Sequence, residues 1–420
     1  MRPGTTASLK NNSARKLASH ELTEIPLGEI AMVQQGYTFS PNYQGQAAGK
    51  WLYVKVGDLN AHGNTKYLDK TLNYVDDIVL EEMGAKPFPP GSIVFPRVGA
   101  ALRNNNKRIL RYASLTDDNV IVVTVRDTHS CSAEYLYYWF DSQDLQRFCN
   151  DGTVPVINGT NLKRQRVPLP SFSLQQEIAS LLSTWDTAIQ KTEQLFAAKE
   201  RHYSRELSRL ISRGQHPHTH VDTFAEEVSA RNRGGNEARV LTVTNSRGFV
   251  LPEDQFERRV ASADLSNYKI VRRGQYAYNP SRINVGSIAR LDGWDDGVLS
   301  PMYVVFRLDD AKINSDYFLH WLNSHEARQR IKNSAQGSVR ETVSFSEFAA
   351  ITIPLPDTNT QSAIARYFNA LRKEIDLLGQ SVAALKTQKR GLMQKLLTGA
   401  WRLKAGCSAE PTHATETTSG

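Results

Sequence analysis

The chain of 420 residues lacks the features that mark secreted, membrane-spanning or disulfide-stabilised proteins. It has three cysteines, in no spacing typical of a disulfide framework or a CxxC zinc site, which fits a reducing cytosol. Nowhere do 18 consecutive apolar residues occur, so a membrane span is not expected. Residues 1–21 are basic and polar without an apolar stretch, so they do not predict a secretory signal. We therefore expect a cytoplasmic protein.

The motifs of common enzyme classes are also missing. The sequence contains no HExxH zinc motif, no GxSxG nucleophile elbow and no complete phosphate-binding loop. The alternating histidines His216, His218 and His220 follow a glycine stop in a polar stretch, so we interpret them as a solvated linker and not as metal ligands. The sequence therefore predicts no catalytic residues, and neither a metal nor a cofactor bound by this chain.

The chain does contain an ordinary globular composition with an excess of positive charge. Hydrophobic residues make up 40% and charged residues 22% of the chain, which excludes a largely disordered protein. Lysine and arginine number 51 against 43 acidic residues, a formal net charge of +8. This charge fits a polyanionic partner such as nucleic acid, although many basic proteins bind nothing charged.

A long internal repeat is the strongest pattern in the sequence. The segment VPLP at 167–170 recurs as IPLP at 353–356, a spacing of 186 residues, and the residues after each copy match without a gap. Upstream, residues 133–142 align with 315–324. Further blocks match in the same order, so the chain is expected to contain two copies of a whole domain, since the period is too long for a solenoid repeat.

Each copy has the same predicted plan of short strands, a helical stretch, a Pro-x-Pro stop and a long helix. The strand-like runs are β-branched or aromatic and are bounded by Gly, Pro, Asn and Asp. They lie at residues 51–56, 92–95, 120–125, 240–243, 276–278 and 303–308. The helical stretches lie at 133–148 and 315–331.

Heptad patterns predict the two long helices. In the C-terminal helix, nine of ten positions spaced alternately by four and three are apolar, which is typical of a coiled-coil seam. The central helix has three polar interruptions, at Thr192, Lys199 and Glu206. An apolar stripe on a helix of this length has to pack against a partner helix, so we expect the two seams to pack together in an antiparallel arrangement. The alternative is an ordinary helical hairpin within one core. The seam residues are Ile178, Leu182, Trp185, Ile189, Phe196 and Leu210, and Ile364, Phe368, Leu371, Ile375, Leu378, Val382, Leu385, Leu392 and Leu396.

The predicted fold class rests on these patterns. It is mixed α/β, with two similar globular domains joined by two long antiparallel coiled-coil helices in a pseudo-two-fold internal repeat. If the helices are antiparallel, each globular domain is expected at an opposite end of a rod.

Loops at equivalent places in both copies carry side chains suited to DNA. Arginine and lysine bind phosphates, and asparagine can read an adenine edge through two hydrogen bonds. The candidates in the first copy are Lys55, Asn60, Arg97, Arg103, Asn104, Lys107, Arg108, Asn158 and Lys163. Those in the second copy are Asn245, Arg247, Tyr278, Asn279, Arg282, Asn284 and Arg340. For each residue alone a solvated loop position is the alternative, so the hypothesis depends on the recurrence.

This organisation resembles the DNA-specificity subunit of type I restriction–modification systems. Pro-Leu-Pro at 354–356, followed by Gln361, Ile364 and Ala365, is similar to the start of that family's spacer helix. The ending KTQKRGLMQKLLTGAWRL at 386–403 is similar to its C-terminal helix, and residues 172–189 resemble the central copy. The resemblance covers residues 22–403, whereas the interrupted central seam departs from it.

The resemblance, together with the two terminal segments that lie outside it, predicts a division into domains. A flexible basic arm at 1–21 precedes target recognition domain 1 at 22–172 and a central spacer helix at 173–213. Target recognition domain 2 at 214–358, a C-terminal spacer helix at 359–403 and a disordered tail at 404–420 complete the chain.

The resemblance also implies a function. Each recognition domain would read one half of a bipartite double-stranded DNA target, while the helices set the gap and dock two modification (methyltransferase) subunits. Restriction (translocase-nuclease) subunits would join them. The chain itself would be non-catalytic, and S-adenosylmethionine, ATP and magnesium would belong to the partners. We expect the target to be asymmetric, because the two copies differ where they would touch bases, at 97–108 and at 278–284.

Two other functions are open at this point. One is a two-headed coiled-coil scaffold that binds proteins without reading DNA, and the other is a self-contained nuclease or methyltransferase. Salt-sensitive, sequence-selective DNA binding would distinguish the predicted function from the scaffold. Activity of the purified chain alone on DNA would identify the enzyme.

Overall fold

The computed structural model describes residues 22–150, 152, 154–235, 237, 239–254, 264–335 and 342–401. The chain forms two compact units: unit 1 contains residues 22–190 and 383–401, and unit 2 contains residues 191–382. The predicted N-terminal arm and the predicted tail lie outside the described residues, as does Arg340. Each unit has its own core and contains a segment of each long helix.

Unit 1 is built on a five-stranded sheet of order β2-β9-β6-β7-β4, whose central strands are β-branched and almost fully buried. A three-stranded sheet, β5-β3-β8, lies beside it, and β1 pairs antiparallel with β10. The strands are β1 (Thr23–Pro26), β2 (Ala31–Gln35), β3 (Trp51–Val54), β4 (Tyr67–Leu68), β5 (Tyr74–Val75), β6 (Ile93–Pro96), β7 (Arg108–Leu110), β8 (Ser114–Thr116), β9 (Val120–Val125) and β10 (Arg166–Leu169). The helices are α1 (Leu27–Ile30), α2 (Asp77–Glu82), α3 (Ala133–Asp141) and α4 (Gly159–Lys163).

Two long helices, α5 (Phe172–Leu207) and α9 (Thr358–Leu397), are shared between the units. Each begins just after a strand that ends in proline-rich sequence, and α5 ends in a π-helical turn at Ser208–Ser212. Every predicted seam residue is buried or half-buried.

Unit 2 repeats the plan of unit 1 with smaller sheets. A four-stranded sheet has the order β12-β19-β16-β17, and three two-stranded sheets pair β13 with β14, β15 with β18 and β11 with β20. The strands are β11 (His218–His220), β12 (Ala225–Glu227), β13 (Thr242–Thr244), β14 (Gly248–Val250), β15 (Lys269–Arg272), β16 (Tyr276–Tyr278), β17 (Ile288–Arg290), β18 (Asp296–Leu299), β19 (Val304–Leu308) and β20 (Thr352–Pro354). The helices are α6 (Ser315–Leu322), α7 (His325–Ala335) and α8 (Phe345–Ala349).

Within unit 2 the two long helices run antiparallel. Phe196 packs beside Gly379, Lys199 Nζ lies 2.8 Å from Glu374 Oε1, and the Tyr203 and Phe368 rings are 5.4 Å apart. Along α5 the residue numbers rise while those of their partners on α9 fall. The predicted mixed α/β fold with long antiparallel helices is confirmed.

Three local predictions are corrected. The stretch 315–331 forms two helices, because Asn323 ends α6 and the Ser324 hydroxyl accepts a hydrogen bond from the Ala327 amide at the start of α7. Similarly, 133–148 divides into α3 and a 3-10 turn. The predicted linker at His218–His220 is strand β11, which pairs with β20.

A buried glutamine ties the globular part to a long helix in the same way in both units. Gln175 is fully buried; its Nε2 donates to the carbonyls of Ser130 and Pro170, and its Oε1 accepts from the Ser132 amide. Gln361 makes the equivalent bonds: its Nε2 donates to the carbonyls of Lys312 and Pro356, and its Oε1 accepts from the Asn314 amide. In each unit, one glutamine side chain thus makes hydrogen bonds to three backbone groups that would otherwise be buried without a partner.

A charged network joins α3 to both long helices in unit 1. The Tyr138 hydroxyl donates to Asp186 Oδ2 at 2.6 Å, and Lys389 Nζ lies 2.6 Å from Asp186 Oδ1 and 3.3 Å from Asp141 Oδ2. On the other side of Tyr138, Lys66 Nζ donates to the same hydroxyl and lies 3.4 Å from Glu134. Burial lowers the pKa of Lys66.

A mostly neutral network occupies the corresponding place in unit 2. The Tyr203 hydroxyl lies 2.8 Å from His320 Nδ1, and His320 Nε2 lies 2.8 Å from Asn369 Oδ1. Asn369 Nδ2 in turn donates to Asp316 Oδ2, and Asp316 is paired with Arg290 at 2.7 Å. Burial lowers the pKa of His320, so the imidazole is neutral near pH 7, with its proton on Nε2 to suit both bonds.

Candidate nucleic-acid interface

In unit 1 the turn after β6 carries two exposed residues of the predicted DNA-binding set. The strand ends at Pro96, and the Arg97 Nε donates to the Asp118 carbonyl at 2.9 Å. A 3-10 helix then runs over Gly99–Asn104 and ends at Asn105, which has a left-handed φ of 54°. Arg103 and Asn104 are exposed at its end, and their side chains make no hydrogen bond or ion pair with other described residues. They are therefore available to a ligand.

Two further predicted loops lie beside this turn. Asn60 accepts a hydrogen bond from Asn106, which brings the end of the Val56–Asn60 3-10 helix next to the turn. On the other side Val98 forms a β-bridge with Val156, just before Asn158. The structure thus brings together three loops that are separated by about 40 to 50 residues in sequence.

The remaining polar candidates of unit 1 have local roles. Lys55 Nζ donates to Gln44 Oε1 at 2.9 Å, and the Asn158 side chain caps α4 by accepting from the Thr160 amide. Lys163 ends α4, where its ammonium is exposed and its stem packs beside Gly28.

Two candidates are corrected because they are buried, and a third is largely engaged. Lys107 is 1% exposed; its Nζ donates to the Gln143 carbonyl at 2.7 Å, and burial lowers its pKa to about 8. Tyr278 is fully buried on β16, where its ring packs against Phe306 and Phe348. The half-buried Arg108 donates to the backbone carbonyls of Asn64 and Lys107. As placed, Lys107 and Tyr278 cannot reach a DNA surface.

In unit 2 two predicted loops converge on one hollow. The β13–β14 turn is held by the Thr244 hydroxyl, which accepts from the Arg247 amide at 3.0 Å. It lies against the 3-10 helix Ile283–Val285, whose C-cap Gly286 has a φ of 95°, a conformation suited to glycine. Asn245, Arg247 and Asn284 line the resulting hollow of about 700 Å³.

The turn after β16 in unit 2 corresponds to the turn after β6 in unit 1. Arg282 is exposed there, and its guanidinium has no hydrogen-bond or ion-pair partner within the described part of the chain. The Asn279 side chain accepts from the Ser281 amide at 3.0 Å, and the Pro280 carbonyl accepts from the Val343 amide. In both units, therefore, an exposed arginine that has no partner among the described residues follows the equivalent strand.

The hollow of unit 2 is also lined by residues that were not among the predicted DNA-binding residues. Trp294 and Arg328 line it together with the predicted asparagines, and Arg328 belongs to α7. The sequence signal was the run HEARQRIKN, in which basic and amide residues recur at helical spacing. Arg290, which also lines the hollow, is paired with Asp292 and Asp316 at 2.7 Å each, so its charge is largely neutralised.

The described ranges contain neither a candidate metal centre nor a candidate membrane span. No group of three or more His, Cys, Asp or Glu side chains there is placed to hold a metal ion. None of the helices in those ranges combines the length and apolarity needed to cross a bilayer.

Sequence comparisons identify relatives. The family model described as type I restriction modification DNA specificity domain matches residues 20–197 and 280–387, more than half of the chain. A Methanocaldococcus jannaschii protein, provisionally named the type I restriction enzyme MjaX specificity subunit, is 20% identical over 366 residues, covering 79% of this chain and 84% of its own length. The type I restriction enzyme MjaIX specificity subunit of that organism is 37% identical over 62 residues, 14% of each chain.

Solved structures share the fold. The S subunit of a type I restriction–modification system from M. genitalium matches 93% of this chain and 98% of its own, with a TM-score of 0.56 and 14% identity. A chain from a structure of the assembly and conformational transition of the type I R-M system matches 90% of this chain and 97% of its own, with a TM-score of 0.54 and 12% identity. The predicted family is confirmed: the chain belongs to the DNA-specificity proteins of type I restriction–modification systems.

Proposed function

We propose that this chain is the sequence-specific DNA-binding subunit of a type I restriction–modification complex. It reads a bipartite, asymmetric target, with one half-site bound by each unit. The observation that carries this proposal is the turn after β6 and its equivalent after β16. Each presents an exposed arginine without a partner among the described residues, Arg103 or Arg282. Near these turns lie asparagines: Asn60 is bonded to the first turn, and Asn284 of the second lines a hollow with Asn245. Arginine positions a duplex through its phosphates and asparagine reads base edges, so both functions are supplied at each site.

The asymmetry of the target is inferred from the differences between the two loop sets. Unit 1 presents Arg103 and Asn104 next to Asn60. Unit 2 presents Arg282 on the turn just before Asn284, and Asn284 and Asn245 line a hollow. Different donors and acceptors in these places would select different bases.

The chain is further proposed to be non-catalytic and to dock two methyltransferase subunits, which restriction subunits join. The long helices α5 and α9 are proposed to form the docking surface. S-adenosylmethionine, ATP and magnesium are assigned to these partners.

The test is selection of bound fragments from a random duplex library by the chain co-purified with its methyltransferase subunits. Two short sequence blocks at a fixed spacing are expected. A single block would mean that only one unit reads DNA. A stable complex that enriches no sequence would contradict the proposal and favour a protein-binding scaffold.

Single substitutions assign each block to a unit. Arg103→Ala is expected to weaken selection of one block and Arg282→Ala that of the other, because each removes an exposed cation from one site. If the arginines bind phosphates, each variant should also reduce the salt dependence of binding, by about 0.9 in the log–log slope per contact. An unchanged slope and unchanged blocks would remove these residues from the interface.

A further inference from the structure

Helix α7 of unit 2 has two different faces. Ala327 and Ile331 are buried in the core of the unit, at 0% and 3% exposure. Glu326 and Arg330 flank this buried face and pair with each other at 2.8 Å, and Arg330 also donates to the Thr352 hydroxyl. The opposite face is fully polar, and its exposed residues are His325, Arg328, Gln329, Lys332 and Asn333. Their spacing of three and four places them in one stripe along the helix.

This stripe is basic and contains no acidic residue. The acid of the helix, Glu326, is already paired with Arg330. Arg328 makes one hydrogen bond, from Nη2 to the Asn323 carbonyl at 3.3 Å, and no ion pair with any residue in the described ranges. The Lys332 ammonium has no partner among those residues. Two adjacent cations on one helix face therefore have their charge available to a polyanion.

The helix dipole accounts for only part of this pattern. A cation in the last turn is stabilised by the negative end of the dipole, which explains Lys332. Arg328 is the fourth residue of an 11-residue helix, in its N-terminal half, where the dipole does not favour a positive charge. A second explanation is needed for Arg328.

The position of Arg328 gives that explanation. It lines the same hollow as Asn245, Arg247 and Asn284, and α7 packs against the 3-10 helix Ile283–Val285. Its guanidinium is thus adjacent to the loops to which the proposed function assigns base reading. In unit 1 the segment after α3 is instead the short 3-10 turn Leu145–Phe148, which offers no comparable helix face.

We propose that the exposed face of α7 is a second DNA-contacting surface of unit 2, in which Arg328 and Lys332 bind phosphates of the duplex read by Asn245 and Asn284. This inference rests on the proposed function and extends it to residues outside the predicted loops. A cationic helix face beside amide-bearing loops matches the polar, positively charged interface that duplex DNA requires. Unit 2 would then contribute more phosphate contacts than its loops alone supply.

The test compares salt-dependent DNA binding of variants in the full complex. Fluorescence anisotropy with a labelled random-sequence duplex is measured from about 50 to 300 mM salt for the unaltered chain and for Arg328→Ala/Lys332→Ala. The log–log slope is expected to become shallower by about 1.8, since each phosphate contact contributes about 0.9. Arg233→Ala/Arg272→Ala is the matched control, because it removes two exposed cations of unit 2 that do not line the hollow. Its slope should stay within error of the unaltered chain.

The outcomes separate this inference from the proposed function. No salt-dependent binding by the unaltered complex would contradict the proposed function itself. Normal binding with an unchanged slope in Arg328→Ala/Lys332→Ala would overturn the α7 surface alone. Equal losses in both double variants would also overturn it, because net charge and not position would then be responsible. Arg328→Lys/Lys332→Arg should retain the slope, because phosphate binding needs only the charge. Loss of methyltransferase assembly without a change in slope would overturn it too and assign the face to a protein partner.

Discussion

The two units use equivalent positions at their helix junctions for different chemistry. In the repeat, Tyr138 of unit 1 corresponds to His320 of unit 2, and Tyr203 of unit 2 corresponds to Lys389 of unit 1. Unit 1 closes its junction with ion pairs around Lys389, and unit 2 closes it with hydrogen bonds around a neutral imidazole. The fold therefore requires that the buried polar groups be satisfied, but it does not fix which groups they are.

The largest expected effect concerns the buried glutamine that both units share. Gln175→Ala and Gln361→Ala each remove three hydrogen bonds and leave buried backbone groups unpaired, so each should destabilise its own unit by about 3 kcal/mol. Hydrogen exchange of the α3 and α6 amides measures the two losses separately. Markedly unequal losses would contradict the structural equivalence of the two glutamines.

A smaller effect is expected where the units differ. Lys389→Met keeps the apolar stem but leaves Asp186 and Asp141 without their shared cation, which should destabilise unit 1 by about 2 kcal/mol. Faster exchange of α3 amides, with α6 unchanged, is the expected readout. Tyr203→Phe is the matched variant in unit 2; it removes one neutral hydrogen bond and should cost about 1 kcal/mol. If the two variants lost equal stability, the ion pairs of Lys389 would add nothing over a neutral hydrogen bond.

The smallest expected effect concerns pH and is confined to unit 2. The pKa of His320 is lowered chiefly by burial, while Asn369 and Asp316 favour the charged form and Arg290 and Arg372 oppose it. The unfolded chain therefore binds the proton more readily, and unit 2 should lose stability as the pH falls below about 6.5 through the folded pKa. Unit 2 should therefore be less stable at about pH 5.5 than at about pH 7.5, where the loss is absent. Hydrogen exchange of the α6 amides at both pH values measures this loss of stability. His320→Gln should make the stability of unit 2 less dependent on pH. The α3 amides of unit 1 provide the internal control. A dependence retained in His320→Gln would assign the effect to another group.

Periodicity and turn residues were sufficient to predict much of the fold. Strands β9 and β16 lie where their β-branched and aromatic runs predicted them, and both long helices match the heptad pattern. The break between α6 and α7 was missed, because its signal is only the pair Asn323–Ser324 inside an otherwise helical stretch.

The candidate site was less accessible to sequence reasoning. Lys107 and Tyr278 were chosen for their chemistry, but both are buried, Lys107 just before β7 and Tyr278 within β16, and no local pattern states this. The convergence of Asn245 with Asn284 depends on packing between a hairpin turn and a 3-10 helix about 40 residues later. Only the tertiary structure brings such segments together, whereas residue type and repetition identified the loops themselves.

The last turns of α9 belong to the core of unit 1, and this has a consequence for how the protein is made. Met393, Leu396 and Leu397 pack with Ile178 and Leu182 in one cluster. During synthesis, residues 22–190 leave the ribosome long before these three residues exist. At about 5–20 residues per second, the intervening chain takes on the order of 10 to 40 s to add. Synthesis of unit 1 thus starts before that of unit 2 and is completed after it. Until then, the face of α5 that carries Ile178 and Leu182 lacks its partner residues on α9.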